Sequence, residues 1–325
     1  MNNKIKNPKT EVPETLEMND KDYITTMLTI EKAMVKDYAT ALTEASNNDL
    51  YKNYKKTTRF TVVDNTLDEV IMSDVNNNPN ITYQAKTVNN VPILEAYIND
   101  GISKPLVFVL HGLDGCKENN IYLLTKFAEQ GFYAVSLDAS GHGKRTDGSH
   151  MFYEIVVQTG YDCMMLIDYY AKDELVDENN YGVTGFSMGG MTSYWLAAYS
   201  EYRPRIIAPM CSSADFIAIK DLYLTNTLVE NGESQVLQDY DNSKMLKFME
   251  ENDPASNIDG FKGTYVYIAH GTADELINFE IDRIFYNELV QSEINCDLKL
   301  YEHVGHAIPN DFIPYLLSKF KSVLQ

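Results

Sequence analysis

Two hydrophobic periods divide the chain. Between Asp20 and about Glu44, the apolar residues Tyr23, Ile24, Met27, Leu28, Ile30, Met34, Val35 and Tyr38 recur three to four apart. That spacing predicts an amphipathic helix, with Asn19-Asp20 as its cap. Residues 1–18, polar and carrying Pro8 and Pro13, predict a disordered leader. After Tyr54 the period shortens to two. Arg59–Val63, Ile81–Thr87 and Val91–Ile98 predict strands, turned by the asparagine clusters Asn76–Asn80 and Asn89-Asn90. No helical pattern separates them, so antiparallel hairpins at one sheet edge are expected.

From Pro105 the rhythm becomes strand, then helix. Leu106–Leu110 is continuously apolar, as a parallel strand covered on both faces must be. Further strands are predicted at 132–137, 181–184, 206–210, 264–269 and 298–301, with helices near 119–130, 152–172, 191–198, 280–290 and 312–323. This alternation predicts an α/β fold with a doubly wound, mostly parallel sheet and right-handed crossovers. The interval from Met210 to Thr264, about fifty residues, is too long for one crossover. Its leucines and methionines predict a small helical lid over about 213–258, at the carboxyl ends of the strands, the alternative being an excursion beside the sheet. The chain divides into a leader plus helical appendage (1–57) and one α/β body (58–325). The appendage offers a surface for that body or for a second subunit.

Composition narrows the partners. Lysine and arginine total 27 against 47 aspartates and glutamates, a formal charge of −20. Nucleic acid and anionic membrane surfaces are disfavoured as partners. The four cysteines, Cys116, Cys163, Cys211 and Cys296, are scattered without C-x-x-C spacing, which predicts reduced thiols and no metal site. The N-terminus lacks an apolar signal region and no run reaches about eighteen apolar residues, so a soluble, cytoplasmic protein is expected.

Chemistry concentrates on Gly185-Phe186-Ser187-Met188-Gly189-Gly190, between a strand and a helix. A serine on so sharp a turn, with glycine two before and two after, forms a nucleophile elbow. Its partners must come from other strand ends. His111-Gly112-Leu113-Asp114-Gly115 bends over the first buried strand, and its Leu113 N–H could pair with the Met188 N–H as an oxyanion hole. His111 itself is expected to brace that loop. Asp274, after the strand ending at His270, is the candidate acid, with adjacent Glu275 as competitor. His306, in Val304-Gly305-His306-Ala307 before the last helix, is the candidate base. In Asp138-Ala139-Ser140-Gly141-His142-Gly143, the two glycines and Asp138 shape a tight turn, and His142 is expected to brace the site, the alternative being a contact with substrate.

The order Ser187, Asp274, His306 and the motifs H-G-x-x-G-x-K-E, D-x-x-G-H-G, G-F-S-M-G-G-M-T and H-G-x-x-D resemble the α/β-hydrolase superfamily over roughly residues 80–325. Within it they look like the compact bacterial carboxylesterases of the prolyl-oligopeptidase-like branch. One departure is Glu275-Leu276-Ile277 after the acid, where such proteins often carry valine-proline. The helix near 18–48 resembles the opening helix of spore-coat F type proteins. The resemblance implies a serine carboxylesterase acting on a small-molecule ester, with no cofactor and no metal. A serine peptidase or aminopeptidase, or a non-catalytic coat-associated protein, is the alternative. Self-association through the N-terminal helix is the expected form of any oligomer.

Overall fold

A computed structural model of the protein describes residues 60–65, 78–145, 152–220 and 242–325. The leader, the N-terminal helix and residues 221–241 of the insertion lie outside the described residues. In chain order the elements are β1 (Val62–Asn65), β2 (Ile81–Val88), β3 (Val91–Ile98), β4 (Lys104–Leu110), α1 (Ile121–Glu129), β5 (Tyr133–Leu137), α2 (Phe152–Tyr170), β6 (Val176–Phe186), α3 (Met188–Tyr199), β7 (Ile206–Met210), α4 (Asn242–Asn252), β8 (Tyr265–Gly271), α5 (Phe279–Gln291), β9 (Cys296–Tyr301) and α6 (Phe312–Leu324).

They form one nine-stranded sheet in the order β1-β2-β3-β5-β4-β6-β7-β8-β9. The strands from β5 to β9 in that order run parallel, and β1, β2 and β3 are added antiparallel at one edge. This is the expected architecture. The β2–β3 turn consists of Asn89 and Asn90 at φ 46° and 68°. A two-residue hairpin turn needs positive φ at both positions, and asparagine is among the few non-glycine residues that tolerate it.

The sheet is covered on both faces, and alternate strand residues enter different layers. Leu106, Phe108 and Leu110 of β4 face a layer built with Val156, Leu166, Met191, Trp195 and Phe285 of α2, α3 and α5. Val107 and Val109 face Leu124, Phe127, Phe312, Leu316 and Phe320 of α1 and α6. A strand buried on both sides therefore shows no polar alternation. β6 begins five positions before the predicted Tyr181, because Lys104-Pro105 pairs with Val176-Asp177 ahead of a register shift at Pro105/Leu106. The polar run Asp177–Asn180 concealed that extension.

The described arms of the insertion are tied to α3 and to each other. Trp195 Nε1 donates to Asn252 Oδ1 at 3.2 Å and the Tyr199 hydroxyl to the Asp253 carbonyl at 2.8 Å. Asp253 Oδ1 in turn accepts the Phe216 N–H at 2.7 Å. Residues 254–256 and 258–261 form short 3-10 turns that lead into β8.

The loops after β4 and β5 are locked together by a buried ion pair. Lys117 Nζ and its N–H both donate to the Asp138 carboxylate at 2.8 Å, and Lys144 N–H joins them at 2.9 Å. Lys117 is 1% exposed and Asp138 0%. Removing one member leaves an uncompensated buried charge, which typically costs about 3–5 kcal/mol. Lys117→Met is therefore expected to lower unfolding free energy in urea by an amount of that order, and Lys117→Met with Asp138→Asn to recover part of it.

Candidate active site

The carboxyl ends of β4, β6, β7, β8 and β9 bring the candidate residues to one sheet edge. At the end of β6, Ser187 adopts φ 52° and ψ −114°, a conformation that normally costs a side-chain-bearing residue about 1–3 kcal/mol. Its neighbours hold it there. Ser187 N–H donates to the Met210 carbonyl at 2.8 Å, and its own carbonyl accepts from Ser212 Oγ at 2.9 Å and Met191 N–H at 3.1 Å. The flanking glycines are required by space: a Cβ on Gly185 would lie 2.3 Å from the Gly189 carbonyl carbon, and one on Gly189 would lie 2.5 Å from the Leu110 carbonyl oxygen. Met188 is the first residue of α3, so its N–H has no partner within the helix.

The loop after β4 closes over this turn. A Cβ on Gly112 would lie 3.2 Å from Phe186 Cδ1 and 3.6 Å from Ser187 Cβ, which places the Leu113 segment against the elbow. His111 is not free to carry protons. Its Nδ1–H donates to the Gly112 carbonyl at 2.7 Å and its Nε2 accepts the Ala139 N–H at 3.1 Å. Burial lowers its pKa to about 4, so it stays neutral and braces the loops. His142 packs against it with ring centres 5.3 Å apart, and its Nδ1 bonds the Ser140 carbonyl at 2.8 Å. His111 thus braces the two loops, and His142 packs within the turn that follows β5.

Asp274 and His306 meet. His306 Nδ1 donates to Asp274 Oδ2 at 2.7 Å, while Asp274 Oδ1 accepts the Leu276 and Ile277 N–H groups at 2.9 and 3.0 Å. A carboxylate can only accept, so Nδ1 carries a proton, and in the neutral ring Nε2 keeps the lone pair. The His306 imidazole lies edge-on to Phe186, the residue before Ser187, with ring centres 4.9 Å apart. Burial alone would push the Asp274 carboxyl up. Hydrogen bonds from His270, His306 and the Ile277 N–H outweigh it and hold the carboxyl well below the usual carboxylate range. Glu275, the competitor, is exposed. An apolar cavity of about 320 Å³ opens beside His306, lined by Phe186, Met210, Ile308, Phe312, Ile313 and Leu316 among others.

Three buried residues behind Asp274 escaped the sequence reading. His270 bonds Asp274 at 3.0 Å and Asp282 at 2.7 Å, and Asp282 accepts the Tyr194 hydroxyl at 2.8 Å. Only the H-G-x-x-D spacing hinted at His270. Asp282 sits within an amphipathic helical pattern and Tyr194 within a helix buried all round, and neither signals anything alone. Cys211, at φ 47°, brings its sulfur within 4.8 Å of ligand atoms on His270 and Asp274. Each of those atoms is already committed to hydrogen bonds, and burial pushes the thiol up to about 12. The group is a filled polar network rather than an open cation site.

The sheet, the elbow and the residues at its carboxyl edge define an α/β hydrolase. The prolyl oligopeptidase family model matches residues 118–319, and the chain belongs to that family. The Coat F domain model matches residues 19–59, in agreement with the resemblance of the N-terminal helix. "Putative esterase YitV" of Bacillus subtilis is 23% identical over 257 residues, spanning 75% of this chain and 100% of that protein. "Esterase YjfP" of Escherichia coli is 22% identical over 204 residues, 61% of this chain and 80% of that protein. Among solved structures, an acetyl xylan esterase from a Paenibacillus species superposes with a TM-score of 0.65 at 16% identity, covering 96% of this chain and 97% of that one.

The elbow geometry carries its own prediction. Gly189→Ala forces a side chain onto the Leu110 backbone, which cannot yield as a flexible side chain would. Its thermal midpoint is expected to drop by several degrees, with a stability loss of about 2 kcal/mol or more. A midpoint equal to wild type would contradict the close approach.

Proposed function

We propose that this protein is a serine carboxylesterase in which Ser187 is the nucleophile, His306 the general base and Asp274 the acid that orients it. The observation that carries the reading is the 2.7 Å hydrogen bond from His306 to Asp274, made on the flank of the strained Ser187 turn. Ser187 Oγ attacks the ester carbonyl carbon as His306 Nε2 takes its proton. Asp274 keeps the imidazole in the tautomer with Nε2 free, and stabilises the imidazolium once it forms. The N–H groups of Leu113 and Met188 form the oxyanion hole, where one donor is typically worth about 3–4 kcal/mol. The alcohol departs with the proton from His306, and water repeats the sequence on the acyl-enzyme, releasing the acid.

Ester cleavage is favoured over peptide cleavage by the esterase names of YitV and YjfP and by the apolar cavity beside His306, which suits an aliphatic group better than a charged N-terminus. Four free thiols fit a reducing, cytoplasmic setting. No helix among the described residues is long and apolar enough to cross a membrane.

On a panel of p-nitrophenyl esters, Ser187→Ala and His306→Gln are each expected to lower kcat by about 10⁴-fold or more, with fold and melting curve retained. Turnover equal to wild type in Ser187→Ala would overturn the assignment. Aminoacyl-nitroanilides are expected to turn over more slowly than esters; the reverse order would favour a peptidase.

A further inference from the structure

Asp274 Oδ2 accepts from two imidazoles. His306 reaches it at 2.7 Å and the wholly buried His270 at 3.0 Å. His270 Nε2 also meets the Ile277 carbonyl at 2.9 Å. Both groups facing Nε2 can only accept, so this nitrogen carries a proton. The other nitrogen, Nδ1, faces Asp282 Oδ2 at 2.7 Å, and Asp282 Oδ1 accepts the Tyr194 hydroxyl at 2.8 Å. Asp282 and Tyr194 are both 0% exposed.

One proton lies between Nδ1 and Asp282, and its position decides the charge of the site. On the carboxyl oxygen, it would leave Asp274 as a buried anion beside two neutral rings. On nitrogen, it makes His270 an imidazolium between two carboxylates, so that neighbouring buried charges alternate in sign. Burial pulls the ring's pKa down, but the hydrogen bonds and charges of Asp274 and Asp282 more than offset it and raise it to about 9; burial also raises the Asp282 carboxyl, against which its bonds from His270 and Tyr194 work. The other titratable groups facing this pair are the Cys211 thiol from the end of β7, Tyr194 from α3 and His306 from the loop after β9. Cys296 on β9 lies near Tyr194.

We propose that His270, kept charged by Asp282 and Tyr194, is the positioning residue of the active site: it fixes the Asp274 carboxylate against His306 and offsets part of its negative charge. This rests on the assignment of Asp274 and His306 as acid and base. Asp274 is held at both oxygens, by two imidazoles on one and two backbone N–H groups on the other, so it cannot rotate away from His306. A cation held on the shared oxygen also opposes the build-up of further positive charge beside it during turnover. The charge on His270 is thereby coupled to the pH dependence of turnover.

The test uses the full chain and the pH profile of kcat/KM on a p-nitrophenyl ester, with Asp282→Asn, Tyr194→Phe and His270→Gln. Asp282→Asn keeps the shape of the carboxyl but removes the charge that holds His270 protonated. Its acid limb is expected to move to higher pH by about one unit, with KM changed little. His270→Gln, which can still donate to Asp274 but carries no charge, moves the limb the same way, and Tyr194→Phe moves it less. A purely structural role would lower the rate evenly across pH, so an unmoved limb in folded Asp282→Asn overturns the proposal. Nitrogen chemical shifts of the His270 ring give a second readout: both nitrogens protonated at pH 7 in the wild type, and one in Asp282→Asn. A singly protonated His270 in the wild type also overturns it. Lack of ester turnover in the wild type sinks the parent reading alone, because the ring shifts still decide the charge of His270.

Discussion

Everything at the carboxyl edge depends on how closely three strand ends approach one another at Ser187. The turn leaving β6 passes within van der Waals reach of the Leu110 carbonyl at the end of β4, and its serine N–H is tied to Met210 at the end of β7. Only glycine at 185 and 189 permits that approach. The strained serine backbone is held because the strands on either side are themselves fixed, each buried on both faces by α1 and α6 or by α2, α3 and α5. A surface loop could not store that strain. The position of the hydroxyl is therefore a property of the whole sheet.

The same rigidity extends through the loops that surround the elbow. Lys117 and Asp138 weld the loop after β4 to the loop after β5, and His111 stitches them a second time through Gly112 and Ala139. On the other flank, Asp274 is gripped at both oxygens. In a chain of net charge −20, the candidate acid is thus insulated from the surface field and governed by a few buried partners. Burial and pairing, rather than overall acidity, set its state.

Much of this was legible in the residues. Apolar runs located β7 to the residue, the paired asparagines marked the β2–β3 turn, and the order of serine, acid and histidine motifs announced the fold. What stayed hidden has a common cause. β6 extends back through Asp177–Asn180 because Lys104-Pro105 offers those residues ladder partners, a tertiary fact no local pattern carries. Likewise Tyr194, Asp282 and His270 are joined to Asp274 across three elements, and each of the three taken singly resembles an ordinary helix or strand residue. The polar network under the acid exists only once the sheet has brought β8, α3 and α5 together. Lys117 falls within the H-G-x-x-G-x-K-E motif, yet its buried partner Asp138 becomes evident only when β4 and β5 lie side by side.

The central claim is that Ser187 is an activated nucleophile, and covalent labelling tests it most directly. After reaction with a fluorophosphonate at neutral pH, peptide mapping by mass spectrometry is expected to place a single stoichiometric adduct on Ser187, with labelling lost when His306 is replaced. An unlabelled Ser187 in the folded protein, or an adduct on another residue, would contradict the account.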